Sequence, residues 1–315
     1  MRRLILTNKV GKNENFYIVG SGVGKQSRFA RKACITRCSN NAAGECCDFN
    51  AKDIIIGSLI DGYIRNASGM VINIETNKII ELITTDSLGN FTLRTSENVL
   101  PNIFKIKFTN GIDIATNLNN ILEFEGIFEK REVATKLNVS IMSTLVSLIV
   151  ENDITDSSIL SKLKTTQEYI SNLFNLTNNE LKSDHILNKN KILTKLNSEI
   201  NNITKTLTSA FILDLSINLT EKEALNEICI LAKSDNSFNV LDISYIEQVI
   251  DNIFTNKNIT VTNEKKENLK NTIVRANTVI DSLSENLSFE DVFIQSTKIN
   301  VIASNYVNEV DFDVY

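Results

Sequence analysis

Histidine occurs once, at His185, proline once, at Pro101, and tryptophan not at all. With one histidine, any Ser-His-Asp or Cys-His device must be built on His185. That residue stands in "KSDHILNK", beside Asp184 and between lysines, and reads as a helix-face residue. Long apolar runs are also missing: no stretch reaches the roughly 18 residues of a membrane span. The start, "MRRLILTNKVGKNEN", has only Leu4 to Leu6 as an apolar core, far short of a secretory leader, so synthesis and use without Sec export is expected.

What remains is ordinary for a globular chain. The 315 residues suffice for two or three domains, and 42% hydrophobic with 23% charged residues is a usual balance. Asparagine is abundant, at 42 residues, a bias of ancestry rather than chemistry. Eight N-x-S/T sequons occur, and with 52 Ser plus Thr in the chain about seven would arise by chance, so they carry no signal. The net charge of -5 hides an asymmetry. Residues 1–50 hold nine Lys/Arg against three Asp/Glu, a balance of +6, and the rest 24 against 35, a balance of -11. A basic head on an acidic body is expected to meet something negative: a neighbouring subunit, an anionic surface or nucleic acid.

The stretch "FYIVGSGVGKQSRF", from Phe16 to Phe29, poses as a phosphate loop but departs from one. A Walker loop reads GxxxxGK[ST], with the hydroxyl placed to bind magnesium. Here Gln26 follows Gly24-Lys25, Val19 stands where the first glycine belongs, and Gly20 is one residue too close. The alternative is a glycine linker before a basic helix. "KQSRFARKACITR" places Arg28, Arg31 and Lys32 on one face at steps of three and four. These cations, with Phe16, Tyr17 and Phe29 as apolar anchors, are the candidate interaction residues. The head resembles the short glycine- and arginine-rich heads of structural proteins in large marine DNA viruses.

Four of the five cysteines are Cys34, Cys38, Cys46 and Cys47, spaced C-x3-C-x7-C-C. Three readings stay open: disulfides pinning a small loop, free thiols, or a metal site, for which the adjacent Cys46-Cys47 pair is an awkward half. His185 is too remote in sequence to be assumed a partner. Cys229 sits on an apolar helical face and reads as plain core.

From Ile54 the texture becomes β-like. "MVINIE", "NFTLRT" and "IFKIKF" alternate with period two, and seven of the eleven glycines fall between 44 and 126. "ETNK" (75–78) and "TDSLGNF" (85–91) predict turns, the second with Asp86 accepting backbone N–H groups and Gly89 at positive φ. Ile72, Ile74, Phe91, Leu93 and Ile106 are the candidate core of a small antiparallel sandwich. "DGYIRNASGMVIN" followed by "TTDSLGNFTL" resembles the carboxypeptidase-regulatory-like β-sandwich module of surface proteins over roughly residues 57–112, with weaker likeness through "GIDIATN" and "SIMSTLVSLIV" to about 150. The chain lacks the proline that precedes that Thr-Leu-Val run in the family, and the acidic loops that would bind calcium; Asp61, Asp86 and Asn90 are the candidate oxygen ligands left. The resemblance implies a scaffold or adhesive module rather than catalysis.

After about Glu129 the period turns helical. "REVATKLNVSIMSTLVSLIVEN" carries Val133, Leu137, Ile141, Leu145 and Leu148 on one face. "DITDSSILSKL" opens with Asp/Thr capping candidates, "SDHILNKNKILTKLNSEI" starts a long helix, and Thr220 with Glu223 forms a capping-box pattern. Six or seven helices of a bundle are expected. Pairs such as Glu264 and Glu267 have the spacing of a solvated face, and the tail "VNEVDFDVY" reads as an extended strand.

The expected fold is α+β and multidomain: a basic arm over 1–53, a small antiparallel β-sandwich over 54–112, and a helical bundle with an extended tail over 113–315. The expected function is that of a non-enzymatic structural component of a virion or similar assembly. It is made in the host cytoplasm, needs no cofactor, and binds neighbouring subunits of a homo- or hetero-oligomer, with nucleic acid as a further candidate partner of the arm. The rival reading is a bacterial surface or filament adhesin, at the extracellular surface, binding a receptor or glycan.

Overall fold

The alternation read in the β region becomes strands because each buries one side against the same core. In the computed structural model the described residues are 54–94, 100–120, 122–130, 136–213, 215–235 and 237–304. The expected arm, with its glycine loop, its cysteine cluster and its interaction residues, and the expected extended tail lie outside the described residues. The fold is α+β. Its strands are β1 (Ile54–Ile60), β2 (Ile64–Arg65), β3 (Ser68–Asn73), β4 (Lys78–Thr84), β5 (Asn90–Arg94), β6 (Ile103–Thr109), β7 (Ile112–Asp113), β8 (Phe124–Glu129) and β9 (Leu137–Ser140).

The strands form a four-stranded antiparallel sheet in the order β4-β3-β6-β8, a three-stranded sheet β5-β1-β9, and a small β2-β7 ladder. In β6, Phe104, Ile106 and Phe108 are buried, while Lys105 and Lys107 between them reach carboxylates. The β3–β4 turn closes where the Asn73 carboxamide accepts the N–H groups of Glu75 and Thr76. The β4–β5 turn closes where Asp86 accepts those of Leu88 and Asn90 at 2.8 Å, with Gly89 at φ +76°. Both turns follow from residues inside the turn itself. The Phe91 ring of β5 meets the Phe108 ring of β6 at 5.0 Å between centroids, joining the two larger sheets.

Two expectations are corrected. The helical pattern starting near Glu129 does not run through Leu137: residues 137–140 are β9, paired in parallel with β1 from Gly57↔Leu137 to Ile60↔Ser140. The approach is close, since a Cβ at Gly57 would lie 2.6 Å from the Leu137 carbonyl oxygen. The helix begins only at Ile141, where Ser140 and Ser143 form a capping box. The second correction concerns "SDHILNKNK": the long helix starts at Lys191, because Lys189 takes φ +55° and the Asn190 side chain accepts the N–H of Leu193.

The described residues hold eight helical segments: α1 (Ile141–Glu151), α2 (Ile159–Leu173), α3 (Asn178–Leu181), α4 (Lys191–Leu213), α5 (Glu221–Ser234), α6 (Ile243–Asn256), α7 (Asn263–Asp281) and α8 (Phe289–Ser304). The Thr220–Glu223 capping box is present as read. Ser158, rather than the Asp or Thr before it, caps α2. Cys229 is buried in α5, and Glu267 pairs with Lys270 on α7.

One continuous apolar core runs from Ile55 to Ile273 and takes in strands and helices together; Ala276, Ile280, Ile299 and Ala303 form a smaller cluster between α7 and α8. Of the five expected sheet-core residues, Phe91, Leu93 and Ile106 belong to this core and half-buried Ile74 packs on it, while Ile72 is buried outside it. The two ends of the four-stranded sheet differ. At β8, the Ser143 and Thr144 hydroxyls of α1 donate to the Glu125 carbonyl and Thr144 accepts the Glu125 N–H, so a helix takes the place of a further strand. At β4 no further strand follows among the described residues, and Leu82 is 73% and Ile79 57% exposed.

Candidate functional site

Along α4, Asn197, Asn201, Lys205 and Ser209 recur every four residues and so form one stripe. The stripe is polar, yet it does not face water. Three other segments pack against it: the turn after β1 with Asp61, the end of β7 with Asp113, and α8 with Asn300. His185, in the turn before α4, and Glu221, the first residue of α5, complete the wall. They line a partly open cavity of about 240 Å³.

Each ionisable group is held by named contacts. Asp61 accepts from Asn201 and from Lys205, the latter at 3.1 Å. Asp113 accepts the Ala115 N–H at 2.8 Å and the Thr116 hydroxyl at 2.9 Å, which folds the loop back on itself. Burial, then the charge of Asp61, pushes the Asp113 carboxyl above its usual range. Burial likewise raises Glu221, which is 5% exposed, although Lys205 opposes the shift. For Lys205 burial disfavours the charge, but Asp61, Glu221 and Asp113 outweigh it and hold the ammonium well above its ordinary value.

His185 is found in a turn and not on a helix face, and it is 2% exposed. Burial lowers its pKa to about 4 against the pull of Asp184 and Asp61, so the ring is neutral at physiological pH, within 3.2 Å of the Asn197 amide. Neighbouring Asp184 accepts from the Tyr63 hydroxyl and pairs with Lys136. Each candidate calcium ligand is engaged within the protein: Asp61 pairs with Lys205, Asp86 closes its turn, and Asn90 accepts from Ser58.

The wall has acceptors left over. Asn197 Oδ1, Asn201 Oδ1, Glu221 Oε2 and Asn300 Oδ1 are buried and have no hydrogen-bond partner among the described residues. Leu118, Phe293 and Val301 supply an apolar side. None of this was expected from sequence. One signal was available: from Ile192 to Leu213 only Lys195, Glu199 and Lys205 are charged, and Asn, Ser and Thr fill the polar positions. Solvated faces are usually richer in Lys and Glu.

Comparison with protein-family models, with curated proteins and with solved structures finds no match to this chain. No helix among the described residues is long and apolar enough to cross a membrane.

Proposed function

We propose that this chain is a non-enzymatic structural component of a virion or similar large assembly, such as a minor capsid, cement or appendage protein. The two larger sheets are read as faces of one small β-sandwich that leads into a helical bundle, and the basic arm, 1–53, as the part that reaches a neighbour. The observation that carries the reading is the contrast between the sheet ends. At the β8 end the Glu125 N–H and carbonyl are taken up by Ser143 and Thr144, whereas β4 carries Ile79 and Leu82 outward. Folded proteins commonly blunt an open edge with charge or cover. An apolar edge is suited to pairing with a strand or apolar face of another subunit. The +6 head against the -11 remainder adds charge complementarity between copies.

Sedimentation velocity over a concentration series tests this. The full chain is expected to self-associate. The Ile79→Lys, Leu82→Lys double variant is expected to stay monomeric while keeping its circular dichroism, and removal of residues 1–50 to abolish association as well. A wild-type chain that is monomeric throughout, or a double variant that associates as the wild type does, refutes the assembly role of this edge.

A further inference from the structure

Independently of any assembly role, we propose that the cavity between α4, α8 and the β7–β8 loop is a binding site for a small primary alkylammonium compound. Two observations carry this together. The first is charge: among the described residues Asp61, Asp113 and Glu221 share the cavity with one cation, Lys205. His185, buried and neutral, adds none, and Asp184 beside it is matched by Lys136. With all three carboxyls ionised, this set of described residues is short of positive charge, and uncompensated buried charge is costly. The second is hydrogen bonding: four buried oxygens, on Asn197, Asn201, Glu221 and Asn300, have no donor among the described residues.

Water could supply the donors but not the missing charge. A proton could supply charge but would satisfy one oxygen. A primary ammonium brings both, with three N–H donors on one positive centre. The size of the cavity argues for an organic cation over a bare ion. Its 240 Å³ equals about eight waters at roughly 30 Å³ each, room for an ammonium with a short carbon chain. Leu118, Phe293 and Val301 line the side against which that chain would lie.

The test is isothermal titration calorimetry on the full chain at about pH 8, where the carboxyls carry more of their charge. The probes are n-butylammonium, its uncharged counterpart n-butanol, and potassium ion. n-Butylammonium is expected to bind saturably with a dissociation constant of about 1 mM or tighter, and n-butanol about tenfold or more weakly. Glu221→Gln is expected to weaken n-butylammonium by about tenfold or more, and Asn300→Ala by several-fold, while Glu264→Gln on the exposed face of α7 leaves it unchanged. Should Glu221→Gln lose its circular dichroism, Asn300→Ala and the wild-type probe selectivity decide. The proposal is overturned if n-butylammonium shows no saturable heat up to about 20 mM, if n-butanol binds equally well, if potassium binds in its place, or if neither wall variant weakens binding.

Discussion

Replacing Phe91 with alanine probes whether strands and helices form one cooperative unit. Phe91 is 1% exposed, packs on Phe108, and fills the space beside Gly57. An aromatic side chain buries on the order of 150–250 Å², about 4–6 kcal/mol at 25 cal/mol/Å², an upper bound. Measured losses for buried Phe→Ala run about 3–5 kcal/mol, since the site relaxes in part. A loss of about 4 kcal/mol is therefore expected. With a urea slope of about 3 kcal/mol/M for a chain of this size, the midpoint should fall by about 1.3 M. The readout is circular dichroism at the helical band, because no tryptophan is present and the mutation lies in the sheet. Phe91 shares its apolar core with residues of helices α1 to α7, so the helical signal should follow the sheet. A loss below about 1 kcal/mol would show that the ring is not a core residue. A two-step curve with an unmoved helical transition would show that the sheets and the helices unfold separately.

Two further outcomes are expected. Ser140→Ala removes half of the capping box at the β9–α1 junction and should cost about 1 kcal/mol in the same denaturation assay, with rescue by Ser140→Thr. Stability should also respond to pH through Glu199 and His185 with opposite signs. Burial raises the Glu199 carboxyl to about 8 from 4.5, so its contribution is present below pH 4.5 and lost as pH rises towards about 8; burial lowers His185 to about 4 from 6.5, so its contribution is present above 6.5 and lost as pH falls towards about 4. Glu199→Gln should therefore gain stability over wild type at pH 8.5 and gain little at pH 4, by urea midpoints at the two values; an equal gain at both would refute the assignment.

Sequence alone was sufficient where the deciding forces act within a few residues. The Asp86 side chain accepts N–H groups two and four residues on, Gly89 takes the positive φ its turn demands, and Thr220 and Glu223 bond each other's backbone. The alternation in "IFKIKF" likewise names the buried side of β6, because strand geometry turns every second residue the same way. Tertiary structure decided what depends on distant partners. Residues 137–140 carry a helical apolar spacing, and pairing with β1, 80 residues earlier, makes them a strand. The cavity draws Asp61, Asp113, His185, Lys205, Glu221 and Asn300 from across 240 residues. Nothing local marks those side chains as enclosed, since a polar stripe on a helix has the same sequence whether water or another helix lies against it. Only the packing of α8 and the β7–β8 loop over α4 turns the stripe Asn197, Asn201, Lys205 into the wall of a buried site.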